Sequence, residues 1–147
     1  MGDTVYRGSC LCGGVRLSLA AEPLAVALCH CRHCQKQSGS AFSAAMIVPA
    51  AAVGIEGTLS EFMDVSDSGQ AISRRFCGVC GSPVQTISAA TDAQGVTIIK
   101  AGLIDSPSMP APQMQIYCDR AVSWMPELPG TARFDRMPPA AGPSSKE

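Results

Sequence analysis

The chain has 147 residues, 46% hydrophobic and 16% charged, with a net charge of −1. This is the length and composition of one globular domain with a modest core, not of a disordered segment. Near-neutrality removes any overall pull on nucleic acid or anionic membrane, and no run approaches the roughly 18 apolar residues that span a bilayer.

The N-terminus, "MGDTVYRGSC", lacks a basic start and an apolar stretch, so no signal peptide is expected. Tyr6 stands where a myristoylation signal needs Ser or Thr. A cytoplasmic setting follows as the expectation. Thiols stay reduced there, and clustered cysteines serve as metal ligands more often than as disulfides.

Short β-type runs dominate the chain. "GGVRLSLA" (13–20) puts Val15, Leu17 and Leu19 on one face. "RHCQKQSG" (32–39) predicts one short helical turn ended by Gly39, and "AFSAAMIV" (41–48) a strand. "PAAAV" (49–53) suits a second short turn, since Pro starts helices well. "LSEFMDV" (59–65), "QAISRRF" (70–76), "SPVQTIS" (82–88) and "GVTIIKAGLI" (95–104) predict further strands. In "QAISRRF", Arg74 interrupts the alternation of Ile72 and Phe76. Turn residues recur between these runs, so the expected fold is mainly β and built from meanders. Trp124, the only tryptophan, is expected to pack the C-terminal segment on the core. The domain is drawn over residues 1–128, with 129–147 as a Pro-rich tail.

Seven of the eight cysteines fall into tight clusters. "CLCGG" supplies Cys10 and Cys12, and "CGVCG" supplies Cys77 and Cys80. The second pair has a zinc-knuckle shape, with Gly78 and Gly81 easing the turn. If the first pair is extended, both of its sulfurs face one way. Four thiolates make a closed tetrahedral site, and closed Cys₄ sites are structural. Zinc is the expected metal, and iron fits the same geometry. A thin core with 5% aromatic residues would gain from it.

"LCHCRHC" supplies Cys29, Cys31 and Cys34. Three thiolates leave one tetrahedral position for water or substrate, which is how catalytic zinc sites are arranged. A fourth ligand from His30, His33, Cys118 or an acidic residue would instead close the site, and a metal-free thiol cluster is a further alternative. His33 is also a candidate proton shuttle. Cys118 is expected to be an inert thiol. Arg7, Arg16, Arg32, Arg74 and Arg75 lie near the clusters, either offsetting thiolate charge or binding an anionic substrate.

"GSCLCGGV", "CHCRHCQKQSGSAF", "RRFCGVCGSPV", "KAGLID" and "QIYCDRAVSW" occur in that order. Together, over about residues 5 to 128, they resemble the glutathione-dependent formaldehyde-activating enzyme (GFA) family, also called the centromere protein V domain family. The resemblance implies an Mss4-like fold of antiparallel β-sheets organised around zinc. It implies a structural zinc on Cys10, Cys12, Cys77 and Cys80, and a second, catalytic zinc on Cys29, Cys31 and Cys34. It implies a carbon–sulfur lyase acting on a thiol–aldehyde adduct such as S-hydroxymethylglutathione, with glutathione as a co-substrate. One departure stands out: Gln115 occupies a position where many members carry His. The expected partner is therefore a small-molecule thiol or aldehyde adduct, with neither nucleic acid nor membrane, in a monomer or homodimer. The rival expectations are a non-enzymatic zinc module that binds a protein or nucleic acid, and a thiol switch at the inner cluster.

Overall fold

The structure is a computed structural model that describes residues 3–139. Twelve strands and two short helices follow one another: β1 (Tyr6–Ser9), β2 (Arg16–Leu19), β3 (Ala25–Cys29), α1 (Arg32–Ser38), β4 (Ser43–Pro49), β5 (Val53–Glu56), β6 (Leu59–Val65), β7 (Ala71–Cys77), β8 (Pro83–Ser88), α2 (Ala89–Ala93), β9 (Val96–Lys100), β10 (Ile104–Ser106), β11 (Met114–Ile116) and β12 (Ala132–Arg133). A small sheet has the order β10-β1-β2-β5, and a large one the order β12-β11-β3-β4-β9-β8-β7-β6. The run from β6 to β9 is the expected meander. Most pairs are antiparallel, but β11 runs parallel to both β3 and β12. The fold is mainly β, as the alternation predicted.

The period-2 rule explains where the core and the site lie. Leu17 and Leu19 of the small sheet meet Val26, Met46, Val48 and Ile99 of the large one in a single apolar cluster. The intervening residues of the large sheet, among them Ala27, Ala45, Ile47, Ile98 and Lys100, face the other way and line a cavity. One face of the large sheet is thus core, and the other is free to build a site.

Several expectations change in three dimensions. The run 95–104 is not one strand. It leaves the large sheet at Lys100, turns through a 3₁₀ segment (Ala101–Leu103), and enters the small sheet as β10. Ala101 and Leu103 are buried at that crossing. Gly8 on β1 lies so close to the Leu103 carbonyl that a Cβ would overlap it. The predicted turn at 32–39 is a seven-residue helix closed by Gly39 at φ 66°, a left-handed conformation that Gly adopts without penalty. Trp124 does not pack on the core; it sits at a turn and is 70% exposed.

The chain beyond residue 128 is partly built into the sheet. β12 pairs with β11, and the amide of Phe134 donates to the Gln115 carbonyl at 2.9 Å. Residues 140–147 of the Pro-rich tail lie outside the described residues.

Candidate metal centres

The outer four cysteines converge from two turns. Cys10 and Cys12 do not lie on an extended segment. β1 exits into a tight turn in which the Gly13 amide donates to the Cys10 carbonyl at 3.0 Å. The turn also aims amides at sulfur: Val15 N–H to Cys10 Sγ at 3.2 Å and Gly14 N–H to Cys12 Sγ at 3.4 Å. Opposite, Cys77 ends β7, and the knuckle closes when the Gly81 amide donates to the Cys77 carbonyl at 2.8 Å. The Ser82 hydroxyl ties the two turns together, accepting from the Leu11 amide at 3.0 Å and lying 3.2 Å from Cys80 Sγ. The Ser82 hydroxyl and amide, with the Cys12 amide, lower the Cys80 thiol to about 5.

The four Sγ atoms lie within 4.8 Å of one another. Cys10 and Cys12 are 3.6 Å apart, and Cys12 and Cys77 are 3.8 Å apart. Thiolates at about 2.3 Å from a tetrahedral zinc would be about 3.8 Å apart. The donor set and its spacing therefore fit a zinc-type ion.

The inner cluster forms where β3 hands over to α1. Cys29 is the last residue of β3, Cys31 is the N-cap of α1, and Cys34 lies in its first turn. Cys31 Sγ accepts the Cys34 amide at 3.3 Å, one of the bonds a helix start leaves open. The three sulfurs also group within 4.8 Å. Hydrogen bonds from Cys29 and Cys34 push the Cys31 thiol well down, and the Arg74 charge adds to this. Cys29 is pushed up correspondingly, so Cys31 gives up its proton first.

None of the residues considered for a fourth ligand completes this cluster. Among the described residues, no His, Cys, Asp or Glu joins the three sulfurs at that spacing. His30 points to the opposite side, fully buried, with Nε2 2.9 Å from Gln115 Oε1 and its ring edge-on to Phe42. Gln115 in turn donates to Thr131 Oγ1 at 2.9 Å. The Gln that departs from the family pattern thus serves a buried histidine. His33 has both ring nitrogens turned to carboxylates, Nδ1 to Asp64 at 2.9 Å and Nε2 to Asp67 at 3.4 Å. Cys118 stands outside the group, in the 3₁₀ turn after β11.

The inner sulfurs border a cavity of about 230 Å³ on the free face of the large sheet. Its walls are mostly aliphatic, and sequence reasoning foresaw only part of its polar lining. Arg74 was singled out; it is buried and its Nε donates to Asp64 Oδ2 at 2.7 Å. Burial alone would raise the Asp64 carboxyl, but hydrogen bonds from Arg74, His33 and the Val65 amide reverse this and hold it at about 2. Lys100 was missed. It is 7% exposed, and its Nζ donates to Ser43 Oγ at 2.8 Å. Burial pushes its ammonium down, while the nearby thiols of Cys34, Cys29 and Cys31 pull it back up. Its only sequence signal is a cation ending a β-branched run at the same parity as Ile98. Tyr117 also lines the cavity, with its backbone in the left-handed region at φ 55° and its amide bonded to the Arg136 carbonyl. A wider groove of about 680 Å³ runs beside the outer cluster, next to Cys10 and Ser82. The sulfurs there already form a complete four-donor set.

Fold and site define a small β protein with two cysteine clusters able to hold metal, one complete and one with three donors facing a cavity. A sequence model of the family described as glutathione-dependent formaldehyde-activating enzyme matches residues 5–120. The chain belongs to that family, as its motifs implied. No curated protein matches it. Among solved structures, it is similar to a Rhodobacter sphaeroides protein determined by crystallography, with a TM-score of 0.53 and 16% identity over 68% of this chain and 88% of that one. This likeness concerns the fold alone.

Proposed function

We propose that the protein is a zinc-dependent carbon–sulfur lyase of the GFA type, acting on a thiol–aldehyde adduct such as S-hydroxymethylglutathione. The observation that carries this reading is the three-sulfur cluster with no fourth ligand among the described residues, set at the wall of a cavity. Zinc held there would supply a Lewis acid and a thiolate-stabilising charge. Cys29, Cys31 and Cys34 would bind the metal, and Cys10, Cys12, Cys77 and Cys80 would hold a second, structural one. Lys100, the cation of this lining without a carboxylate partner among the described residues, suits a departing thiolate. His33, tied to two carboxylates, fixes the cavity wall to the β6–β7 turn; this position suits structure better than a proton shuttle.

Both clusters need reduced thiols, which suits the cytoplasm. No helix among the described residues is long and apolar enough to cross a membrane.

The test combines metal content with turnover. The reduced protein should hold two zinc ions per chain and turn over at least one of a panel of thiol–aldehyde adducts, followed by NMR. One zinc per chain, or no turnover with any thiol–aldehyde adduct, would refute the reading.

A second reading, a non-enzymatic zinc module, draws on a different observation. β6 is an edge strand of the large sheet and exposes Phe62, Met63 and Val65. An apolar edge of this kind suits pairing with a partner chain or a second copy. Under that reading Phe62→Lys would abolish self-association or partner binding, measured by analytical ultracentrifugation, and there would be no turnover to lose.

A further inference from the structure

Two cations face the cavity, and they are not equivalent. Arg74 is neutralised by Asp64, its Nε 2.7 Å from Oδ2. Lys100 has no carboxylate within salt-bridge distance among the described residues, and its one hydrogen bond is to the Ser43 hydroxyl. An ammonium carries three donors. Two of the three are therefore unused, on a side chain that is almost wholly buried. A buried donor without a partner is costly, so such a group is a candidate to bind something that enters.

Its position is rigid. Lys100 ends β9 and pairs with Ala45 of β4 in the middle of the large sheet. Its Nζ bonds Ser43, which pairs with Cys29 across β3 and β4, and Lys100 lines the cavity with the three cysteines. Its head is therefore on the cavity side, on the same wall as the inner cluster. The wall also carries polar groups from Ser66, Asp67, Thr86 and Tyr117, but its larger part is a different kind of surface. Ala27, Ala45, Ile47, Ile72, Ile98 and Ile116 present only hydrocarbon there. Formaldehyde has no carbon substituent to use that surface, and the charged ends of a glutathione tripeptide would be desolvated against it at a cost.

We propose that the cavity selects substrates with an apolar substituent on the reacting carbon, with Lys100 Nζ donating to the oxygen on that carbon. The substrate class is the adduct of a thiol with a short-chain alkyl or aryl aldehyde, larger than formaldehyde. This deepens the lyase reading, and only the word substrate rests on it; the binding claim stands separately. In the cleavage direction the C–S bond breaks, its electron pair leaves with sulfur, and the hydroxyl proton is lost to solvent as the carbonyl forms. Lys100 holds the oxygen throughout and is not consumed.

The experiment measures binding of unreactive probes to the zinc-loaded protein by titration calorimetry, so no turnover is needed. Hexanoate carries the oxygen head and a short apolar chain; acetate carries the head alone. Hexanoate should bind roughly 100-fold tighter than acetate, as expected for burying its four extra methylenes. Lys100→Met keeps the volume and removes the donor. It should weaken hexanoate by about 10- to 100-fold, the size of one charged hydrogen bond, and Lys100→Arg should restore part of the loss. Zinc content should stay at two per chain in both variants. Ala27→Leu, which narrows the cavity from β3, two strands away from Lys100, should weaken hexanoate and leave acetate unchanged. Equal binding of the two acids would overturn the apolar class. Undiminished hexanoate binding by Lys100→Met would overturn the role of Lys100, as would loss of the inner zinc, which would make the lysine a counter-ion to the cluster. If hexanoate binds as expected but no adduct of any aldehyde is cleaved, the lyase reading fails and the site remains.

Discussion

Replacing one cysteine in each cluster should have opposite consequences, and the structure gives the reason. Cys77 is 2% exposed and ends β7, and with Cys12 it joins segments 65 residues apart. Structural zinc sites contribute apparent free energies of about 10–16 kcal/mol, comparable with the whole stability of a domain at about 5–15 kcal/mol. Losing one of four thiolates weakens the metal by a large part of that, and the domain has no excess to absorb it. Cys77→Ser should therefore yield no soluble folded protein, or one whose melting transition is lost by circular dichroism. Cys31 is different. It caps α1, and Ser is among the best N-cap residues, so Cys31→Ser keeps the bond to the Cys34 amide. Its neighbours β3 and β4 are held by a five-residue ladder that does not involve the sulfurs. The variant should melt within about 1 kcal/mol of the wild type once the inner metal is removed from both. It should retain one zinc per chain by mass spectrometry and lose turnover. Equal damage from the two substitutions, or loss of both metals from Cys31→Ser, would refute the division into a closed structural site and an open one.

The Asp64 carboxyl, held at about 2 against an ordinary 3.8, contributes stability that is present above pH 4 and lost as pH falls towards 2. Its worth at neutral pH is about 2 kcal/mol. The advantage of the wild type over Asp64→Asn, measured by denaturant titration with the outer metal kept and the inner one removed from both, should be flat from pH 7 to 4 and shrink below that. Gly8→Ala should destabilise by several kcal/mol, because the new methyl meets the Leu103 carbonyl where β1 crosses the 3₁₀ turn; a change under 1 kcal/mol would mean that this crossing is loose. Trp124→Ala should change stability by no more than about 0.5 kcal/mol, since the ring lies largely in solvent. A shift of several degrees in melting temperature would contradict its exposure.

Much of this was legible in one dimension. A spacing of one or two residues between cysteines brings sulfurs to one ion within a single turn, so both clusters could be named without a fold. The same locality made β2, β4, β6, β7 and β8 readable from alternation and turn residues. Short β1, β5 and β11 were not read, since three or four residues carry too little pattern and owe their conformation to neighbours in the sheet. Arg74 shows the boundary between the two kinds of information. Its break in the alternation was visible, but its meaning waited for Asp64 across the β6–β7 pair.

The fourth position of the inner cluster was beyond the sequence. His30 and His33 were near enough along the chain to fill it, and Cys118 could have folded back to it. Their exclusion follows from distant partners: Gln115 takes His30, Asp64 and Asp67 take His33, and the turn after β11 carries Cys118 away. The cavity is tertiary in the same sense. Lys100, Ala45 and Ile116 come from three strands of one sheet, and they share a wall only because pairing register puts them on the same face. Ligand spacing is a local property of the chain and is written in it. Which position stays open, and what faces it, is set by long-range pairing between strands.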